Sequence, residues 1–393
     1  ESLDDILLLL NKVEELYYAE NSYFKFDRKP LKKKNLTYLL YSKKEKYKTF
    51  EIAKKSGGKR KIVAPNKSLK RVQRLLLFCL ESLYKPLPTA TGFVRGESIV
   101  TNAKKHCNKK FVYNIDLENF FPSISFGRIR NVLAKVKQMG LNEEVARIVA
   151  SLCCKDGVLT QGAPTSPYLS NAVCIKLDAI LYNFSKARNL SYSRYADDIT
   201  FSSNENVFAE EFKSEVEEII ISQGFTLNRK KERLQRNNVI DDSGDLIRER
   251  QEVTGIIVNK KPNVSKTYVR NLRATLHNWE KKGYEVASAL HEKYYTREKG
   301  FQRYNGKIPK LEMVVGGKIE FLGMVRGKDD SIYIGMKLQY DLLCKKEDYT
   351  EEDYELLLNL FKTKGAKCAL DRYYNKKNIN EATTSHNKVV SVL

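Results

Sequence analysis

The sequence contains little cysteine, and the cysteines follow no pattern. The seven lie at positions 79, 107, 153, 154, 174, 344 and 368, with no CxxC pair and no Cys/His spacing of a zinc site. An odd number without a framework is typical of a reducing compartment. No apolar run approaches the roughly 18 residues that a membrane-spanning helix needs, and no signal peptide is visible. We therefore expect a cytoplasmic protein with no membrane partner.

Internal repeats and low-complexity linkers are also lacking, so the 393 residues are expected to form two or three folded subdomains. Positive charge, by contrast, is abundant. Lys plus Arg number 70 against 48 acidic residues, a net charge of +22. Such an excess favours a nucleic acid partner, because each phosphate neutralised by Lys or Arg releases counterions. A merely solubilising surface is the alternative.

The order of apolar and amphipathic segments predicts an α+β fold, an antiparallel sheet backed by helices. Helices are expected over residues 1–20, 68–83, 127–139, 143–155, 166–189 and 207–223. Strands are expected over residues 47–52, 61–64, 111–116, 225–227 and 253–258, with Gly57-Gly58 as a turn and a hairpin over 192–202.

Three aspartates carry the strongest chemical signal. Asp197 and Asp198 lie at the tip of the predicted hairpin, in the run Tyr195-Ala-Asp-Asp198, where adjacent carboxylates repel unless a divalent cation lies between them. Asp116 ends a predicted strand 81 residues upstream (197 minus 116). This arrangement is typical of two-metal nucleotidyl transfer. We expect Asp116 and Asp197 to bind two Mg²⁺ ions, with the Leu117 carbonyl as a backbone ligand and Asp198 as support or a more transient ligand.

Other residues fit the handling of a nucleotide. Arg60 and Lys61, on the basic hairpin, are expected to bind the triphosphate. Gln161 and Gly162, in a Gly/Pro-punctuated loop before a helix, are expected to support the incoming nucleotide and the template. Phe121 would block a ribose 2′-OH, although paired phenylalanines are also common in cores. Lys230 would protonate the leaving pyrophosphate, with an ordinary surface lysine as the alternative.

Taken in order, these motifs resemble the fingers and palm of reverse transcriptases. The set comprises Arg60, Asp116 with Phe121, Gln161-Gly162, Tyr195-Ala-Asp-Asp198 and the segment Gly224 to Lys231. Two further elements narrow the resemblance. Asn102-Ala-Lys-Lys-His106 before the first catalytic strand, and Val253-Thr-Gly255 after the last palm element, resemble bacterial retron reverse transcriptases of the group II intron-like superfamily. The resemblance covers roughly residues 50–290.

The resemblance implies a right-hand polymerase fold divided into four parts. Residues 1–110 would form an N-terminal helix and fingers, and residues 111–262 the palm, with a fingers insertion at about 127–165. Residues 263–299 would form thumb helices. Residues 300–393 would be a C-terminal extension whose tail frays from about residue 375.

The resemblance also implies a function. Such an enzyme binds a cognate structured noncoding RNA, starts synthesis from a guanosine 2′-OH, and joins dNTPs into branched multicopy single-stranded DNA, an RNA–DNA hybrid product. Contacts with the RNA are expected from Asn102, His106, Val253, Thr254 and Gly255, and from Arg270 and Arg273 on a thumb helix. That helix, read alone, fits an ordinary solvent-facing amphipathic helix equally well.

No RNase H module and no fused effector are evident. The resemblance therefore implies host RNase H for trimming the template, and phage defence with a separate effector protein, in higher-order assembly with it. The alternatives are an RNA-dependent RNA polymerase, another group II-like reverse transcriptase, or an RNA-binding scaffold for an effector. Phe121 favours dNTPs, the lack of a maturase or endonuclease region disfavours the intron type, and the three aspartates disfavour a silent scaffold.

Overall fold

The computed structural model describes residues 2–20, 29–42, 45–53, 58–137, 139–241, 243–297, 307–344, 350–365, 368–369 and 371–373. Gly57 of the predicted turn and the tail from about residue 375 lie outside these ranges. The chain forms two compact units, residues 1–260 and 261–393. The four predicted subdomain boundaries stay predictions.

The first unit combines helices with short and long strands. Its helices are α1 (Leu3–Glu20), α2 (Lys33–Tyr41), α3 (Lys67–Glu81), α4 (Ile99–Lys104), α5 (Phe126–Lys135), α6 (Glu143–Cys153), α7 (Ser166–Val173), α8 (Ile175–Ala187) and α9 (Glu210–Ser222). Its strands are β1 (Tyr47–Ala53), β2 (Lys59–Pro65), β3 (Phe111–Asp116), β4 (Cys154–Lys155), β5 (Val158–Leu159), β6 (Ser191–Tyr195), β7 (Asp198–Ser203), β8 (Arg233–Ile240), β9 (Leu246–Arg248), β10 (Glu252–Val253) and β11 (Ile256–Ile257).

A five-stranded antiparallel sheet, in the order β6-β7-β3-β8-β9, forms the centre of this unit. The middle strand β3 is buried almost throughout, as its apolar sequence requires. Tyr113 of β3 packs against Phe201 of β7 and against Phe208 and Phe212 at the start of α9. Such aromatic burial is a large stabilising contribution, and it packs β3 and β7 against the region of α9.

Side-chain caps fix where several helices begin. Asn66, Ser98, Ser125 and Asn142 each accept backbone N–H bonds at the first turn of α3, α4, α5 and α6. The predicted single helix over 166–189 is wrong, because the chain breaks it at Cys174 into α7 and α8. Cys174 is fully buried, and no helix-breaking glycine or proline stands at this position.

Two predicted strands also differ in the structure. Residues 225–227 contribute only a single bridge, between Leu227 and Leu117. Residues 253–258 form the small β10-β11 hairpin around Thr254-Gly255, where both residues have positive φ (50° and 79°). Strand β8 was not predicted, although it pairs directly with β3.

The second unit is helical over the residues that the structure describes. It contains α10 (Lys266–Arg297, kinked at Gly283), α11 (Leu311–Arg326), α12 (Ser331–Leu343) and α13 (Glu351–Lys364). Leu272, Leu276 and Trp279 form the buried stripe of α10. Thr350 and Asp353 form a capping box at the start of α13. The Thr350 hydroxyl accepts from the Asp353 N–H, and the Thr350 N–H donates to the Asp353 carboxylate. Within the described ranges, no helix combines the length and the apolar character needed to cross a bilayer.

Candidate active site

The pairing of β3 with its neighbour brings the predicted carboxylates together. Asp116, at the end of β3, pairs with Asp198, the first residue of β7, and Asp198 also pairs with Tyr195 across the hairpin. The Leu117 N–H donates to the Asp197 carbonyl over 3.0 Å. The end of β3 and the tip of the β6–β7 hairpin therefore place all three aspartates at one end of the sheet, where these strands stop. We call this group, Asp116, Asp197 and Asp198, the aspartate edge.

Crowding of the three carboxylates changes their acidity. Desolvation and the charge of Asp116 raise the pKa of Asp197. Desolvation, followed by the charges of Asp197 and Asp116, raises the pKa of Asp198 to about 7. The raised pKa values mean that the ionised forms of Asp197 and Asp198 are destabilised in the folded protein. A bound cation would stabilise them.

Two residues from the segment after α9 contact Asp116 directly. The Lys231 Nζ lies 2.7 Å from Asp116 Oδ2, and Asn228 Nδ2 donates to Asp116 Oδ1 over 3.3 Å. The Asn228 N–H also donates to the Asp116 carbonyl over 2.8 Å. Lys230, the lysine predicted from the sequence, lines a cavity beside Asp116, but the lysine in contact with the Asp116 carboxylate is Lys231.

The donor set fits a divalent cation that substrate helps to bind. Among the described residues, no three His, Cys, Asp or Glu side chains form a ready-made metal cage. Mg²⁺ is usually bound by one or two carboxylates together with substrate phosphates, so a complete all-protein cage is not required. The Lys231 ammonium against Asp116 shows that a cation is already favoured at this carboxylate.

A cavity of about 540 Å³ opens beside the aspartates. It is lined by Asp116 and Asp198, by Lys231, and by Thr254 and Gly255 of the β10-β11 hairpin. The structure thus brings two residues of the predicted RNA-binding triplet, Thr254 and Gly255, to the same cavity as Asp116 and Asp198. Thr254 is half-buried and Gly255 is exposed.

The basic hairpin and the Gly/Pro-punctuated loop meet through their backbones. The Val63 N–H of β2 donates to the Gln161 carbonyl over 2.9 Å. Gly162 has a φ of 132°, and a Cβ there would lie 3.0 Å from both Ile62 Cγ2 and the Val63 carbonyl oxygen, so glycine permits the approach. Arg60 and Lys61 are exposed on the same strand.

The paired phenylalanines have different surroundings. Phe120 is buried and stacks on Phe225, whereas Phe121 is half-buried and lies 6.2 Å, centroid to centroid, from Phe93. Phe93 also lies 6.5 Å from Tyr195. Its backbone has a φ of 62°, an unusual conformation for an aromatic residue, and its side chain is 45% exposed. Phe121 is therefore the more accessible ring of the pair, and its role as a steric gate stays a prediction.

Three of the residues predicted to contact RNA are buried. Asn102 is buried and its Oδ1 accepts from the Thr91 hydroxyl over 2.7 Å. His106 is buried between the hydroxyls of Ser202 and Ser193, at 2.8 and 2.7 Å. Burial lowers the pKa of His106 to about 3, so its ring is neutral.

Val253 is also fully buried. The side chains of Asn102, His106 and Val253 are therefore buried within the protein, and His106 joins β6 to β7 through its two serine partners. Arg270 and Arg273, in the second unit, are exposed on α10, and their contact with RNA stays a prediction.

Comparisons with known proteins agree on one family. The family described as reverse transcriptase (RNA-dependent DNA polymerase) matches residues 52–270. The chain is 36% identical over 249 residues to the retron Mx65 reverse transcriptase of Myxococcus xanthus, covering 59% of this chain and 55% of that protein. It is 31% identical over 246 residues to the retron Ec86 reverse transcriptase of Escherichia coli, covering 62% and 73%. The chain thus spans about half the length of the first relative.

Solved structures give a weaker likeness. Telomerase from Candida tropicalis aligns with a TM-score of 0.40 and 10% identity, covering 81% of this chain and 64% of that one. Telomerase from Candida albicans gives 0.42 and 11%, covering 90% and 70%. These scores are too low to support an argument. The family match and the antiparallel sheet with its aspartate edge show the right-hand polymerase fold, and the chain belongs to the reverse transcriptase family as a bacterial retron reverse transcriptase.

Proposed function

We propose that this chain is an RNA-directed DNA polymerase that works by two-metal nucleotidyl transfer. The observation that carries the proposal is the convergence of Asp116, Asp197 and Asp198 at one sheet edge in a member of this family. Two Mg²⁺ ions, when bound, lower the negative charge of the attacking and leaving oxygens. Asp116, Asp197 and the Leu117 carbonyl are the proposed ligands, with Asp198 in support.

The lysines beside Asp116 are proposed to act on the leaving group. Lys231 neutralises Asp116 in the structure, and a cation bound there would free its ammonium for the pyrophosphate. Lys231 fits the donation of a proton to pyrophosphate better than Lys230, because its Nζ already lies at the catalytic edge. Lys230, on the same cavity wall, would add positive charge.

The nucleotide is proposed to lie between the basic hairpin and the aspartate edge. Arg60 and Lys61 would bind its triphosphate, since both are exposed on β2. The Gln161-Gly162 backbone, joined to β2, would set the distance of these side chains from the site. Phe121 would exclude a ribose 2′-OH and so select dNTPs.

The retron relatives support a finer proposal. We propose that the chain binds a cognate structured noncoding RNA, primes from a guanosine 2′-OH and makes branched multicopy single-stranded DNA in the cytoplasm. Thr254 and Gly255 lie on the catalytic cavity, which supports a role of this hairpin in placing the RNA. Arg270 and Arg273 would bind phosphates. Host RNase H and a separate antiphage effector, assembled with the enzyme, complete the proposal.

Incorporation of dNTPs on an RNA template tests the polymerase proposal. Asp197→Asn should abolish synthesis and leave RNA binding unchanged, because it removes a metal ligand without altering the fold. The matched control is Asp245→Asn, because Asp245 is an exposed carboxylate on the β8–β9 turn. This variant should be as active as the wild type. DNA synthesis by Asp197→Asn would overturn the metal assignment, and a preference for rNTPs would favour an RNA polymerase.

A further inference from the structure

A fully buried ion pair lies behind the catalytic turn. Arg194 and Asp178 have side-chain exposures of 0% and 1%. The Arg194 Nε and Nη2 donate to the two Asp178 carboxylate oxygens over 2.7 and 2.6 Å, and the Tyr192 hydroxyl adds a bond of 2.9 Å to Asp178 Oδ1. Asp178 lies on α8 and Arg194 on β6, so the pair joins a helix to the catalytic hairpin.

The remaining nitrogen of the guanidinium contacts the turn itself. Arg194 Nη1 donates to the Ala196 carbonyl over 2.9 Å. Ala196 directly precedes Asp197 and has a φ of 58°, a left-handed conformation that alanine adopts unfavourably. Gly92 also packs against the turn, where a Cβ would lie 2.3 Å from the Ala196 nitrogen. The turn is therefore contacted both by the Arg194 guanidinium and by the backbone at Gly92.

Stability alone does not account for this pair. Removing two charges from water is costly, and a hydrophobic pair of similar volume is often as stable or more stable. A planar guanidinium, however, can bind a carboxylate with two nitrogens and present a third nitrogen in a fixed direction. The third nitrogen here meets the carbonyl before the catalytic aspartates.

We propose that Arg194 is a positioning residue that fixes the Ala196 carbonyl, and through it the direction of the Asp197 and Asp198 carboxylates toward Asp116. Asp178 and Tyr192 hold the guanidinium in its place. The affinity of the aspartate edge for a divalent cation then depends on a side chain that contacts no substrate. The inference rests on the proposed function for its effect on DNA synthesis, but its effect on cation binding can be measured separately.

The decisive variant is Arg194→Met/Asp178→Leu, which removes both charges and keeps most of the volume. Removal of a single partner would leave a buried charge unpaired and is not informative. Arg71→Met/Glu14→Leu is the matched control, because it removes another two-nitrogen Arg–carboxylate pair in the same unit, between α3 and α1. Arg194→Lys keeps the positive charge but loses the guanidinium that bonds Asp178 and the Ala196 carbonyl together. If the double variant fails to fold, Mn²⁺ affinity of Arg194→Lys tests the positioning role instead.

The measurement is Mn²⁺ affinity by electron paramagnetic resonance titration, with Asp197→Asn to identify binding at the aspartates. We expect Mn²⁺ binding at the aspartates to weaken about 10-fold or more in Arg194→Met/Asp178→Leu, as for other residues that orient metal ligands. The thermal midpoint should stay close to that of the wild type, and the control pair should bind Mn²⁺ as the wild type does. Equal affinity in the wild type and in folded Arg194→Met/Asp178→Leu would overturn the proposal, as would binding that is unchanged in Asp197→Asn.

Primer extension with dNTPs on the same preparations separates this proposal from the polymerase proposal. If cation affinity falls in Arg194→Met/Asp178→Leu while even the wild type makes no DNA, the positioning role stands and the proposed function fails. If Arg194→Met/Asp178→Leu makes DNA and binds Mn²⁺ as the wild type does, while Asp197→Asn does neither, the proposed function stands and the positioning role is overturned.

Discussion

Lys231 forms an ion pair with Asp116, whereas its neighbour Lys230 only lines the adjoining cavity. This contact distinguishes the expected roles of the two lysines. We expect Lys231→Met to lower DNA synthesis at least about 10-fold, because it removes the ammonium placed to assist the leaving pyrophosphate. Lys230→Met is the matched control and should cause a smaller loss. Single-turnover rates of dNTP incorporation measure both. A larger loss in Lys230→Met would return the role to the lysine predicted from the sequence.

Phe121 is the ring expected to select the sugar. Phe121→Val should let rGTP or rUTP enter the product, because it opens space beside the 2′ position while Phe120 keeps its place in the core. The ratio of dNTP to rNTP incorporation efficiency is the measurement. Selectivity that stays at the wild-type level would remove Phe121 as the steric gate and direct attention to Phe93, the ring packed against it.

His106 should make stability sensitive to mild acid. Its pKa is lowered to about 3 in the folded protein, against roughly 6.5 in the unfolded chain. A lowered pKa means that the unfolded state binds the proton first, so this stability is present above about pH 6.5 and is lost as the pH falls toward the folded pKa. Between pH 7.5 and 5.5 the loss should be about 1 kcal/mol.

Denaturant unfolding at the two pH values, with His106→Gln for comparison, checks this sign. The variant should be less stable at pH 7.5 and should lose less on acidification. The same pH dependence in both proteins would show that His106 is not the group responsible.

At the scale of elements, the strongly patterned segments were predictable and the context-dependent ones were not. β3 follows from a mostly apolar run that ends in Asp116, and the hairpin follows from two short strand-like segments that meet at Asp197-Asp198. β8, with the sequence Arg233 to Ile240, is rich in polar residues, so its place beside β3 depends on pairing rather than on pattern. The break at Cys174 has no local signal, since no glycine or proline stands there.

The site was predictable to the same extent. The aspartates were identified from their spacing and context, but the choice between Lys230 and Lys231 depends on the turn that follows Leu227. Burial of Asn102 and His106 could not be read from a motif alone. Arg194 did leave a signal, because it is a charged residue inside a strand that precedes the acidic turn.

Arg128 links two elements and offers a test of packing at this scale. It donates from α5 to the carbonyls of Gln223 (2.7 Å) and Gly224 (3.1 Å) after α9, and its guanidinium lies 4.3 Å from the centre of the Phe225 ring. Arg128→Ala should lower the free energy of unfolding by about 1–3 kcal/mol, since it leaves helix-end carbonyls unpaired.

Arg188→Ala is the matched control for Arg128. Arg188 also lies over a ring, that of Phe184, but it is exposed and pairs with the exposed Glu215. Its loss should cost less than about 1 kcal/mol. Equal losses in the two variants, measured by denaturant unfolding, would show that the Arg128 bonds contribute little.

At the scale of the whole molecule, charge and family agree on a nucleic acid partner. The net charge of +22 favours phosphate binding of any sequence, and it cannot by itself select one RNA. Selection is proposed to come from the β10-β11 hairpin at the catalytic cavity and from the exposed arginines of α10. The central claim is therefore the product: DNA attached to one particular RNA.

Sequencing of the nucleic acid that co-purifies with the protein, before and after treatment with debranching enzyme, tests this claim most directly. The account predicts a short single-stranded DNA joined 2′–5′ to a guanosine of one structured RNA, released by debranching, and absent from an Asp197→Asn preparation. Heterogeneous nucleic acid unaffected by debranching, or the same branched DNA in Asp197→Asn, would contradict it.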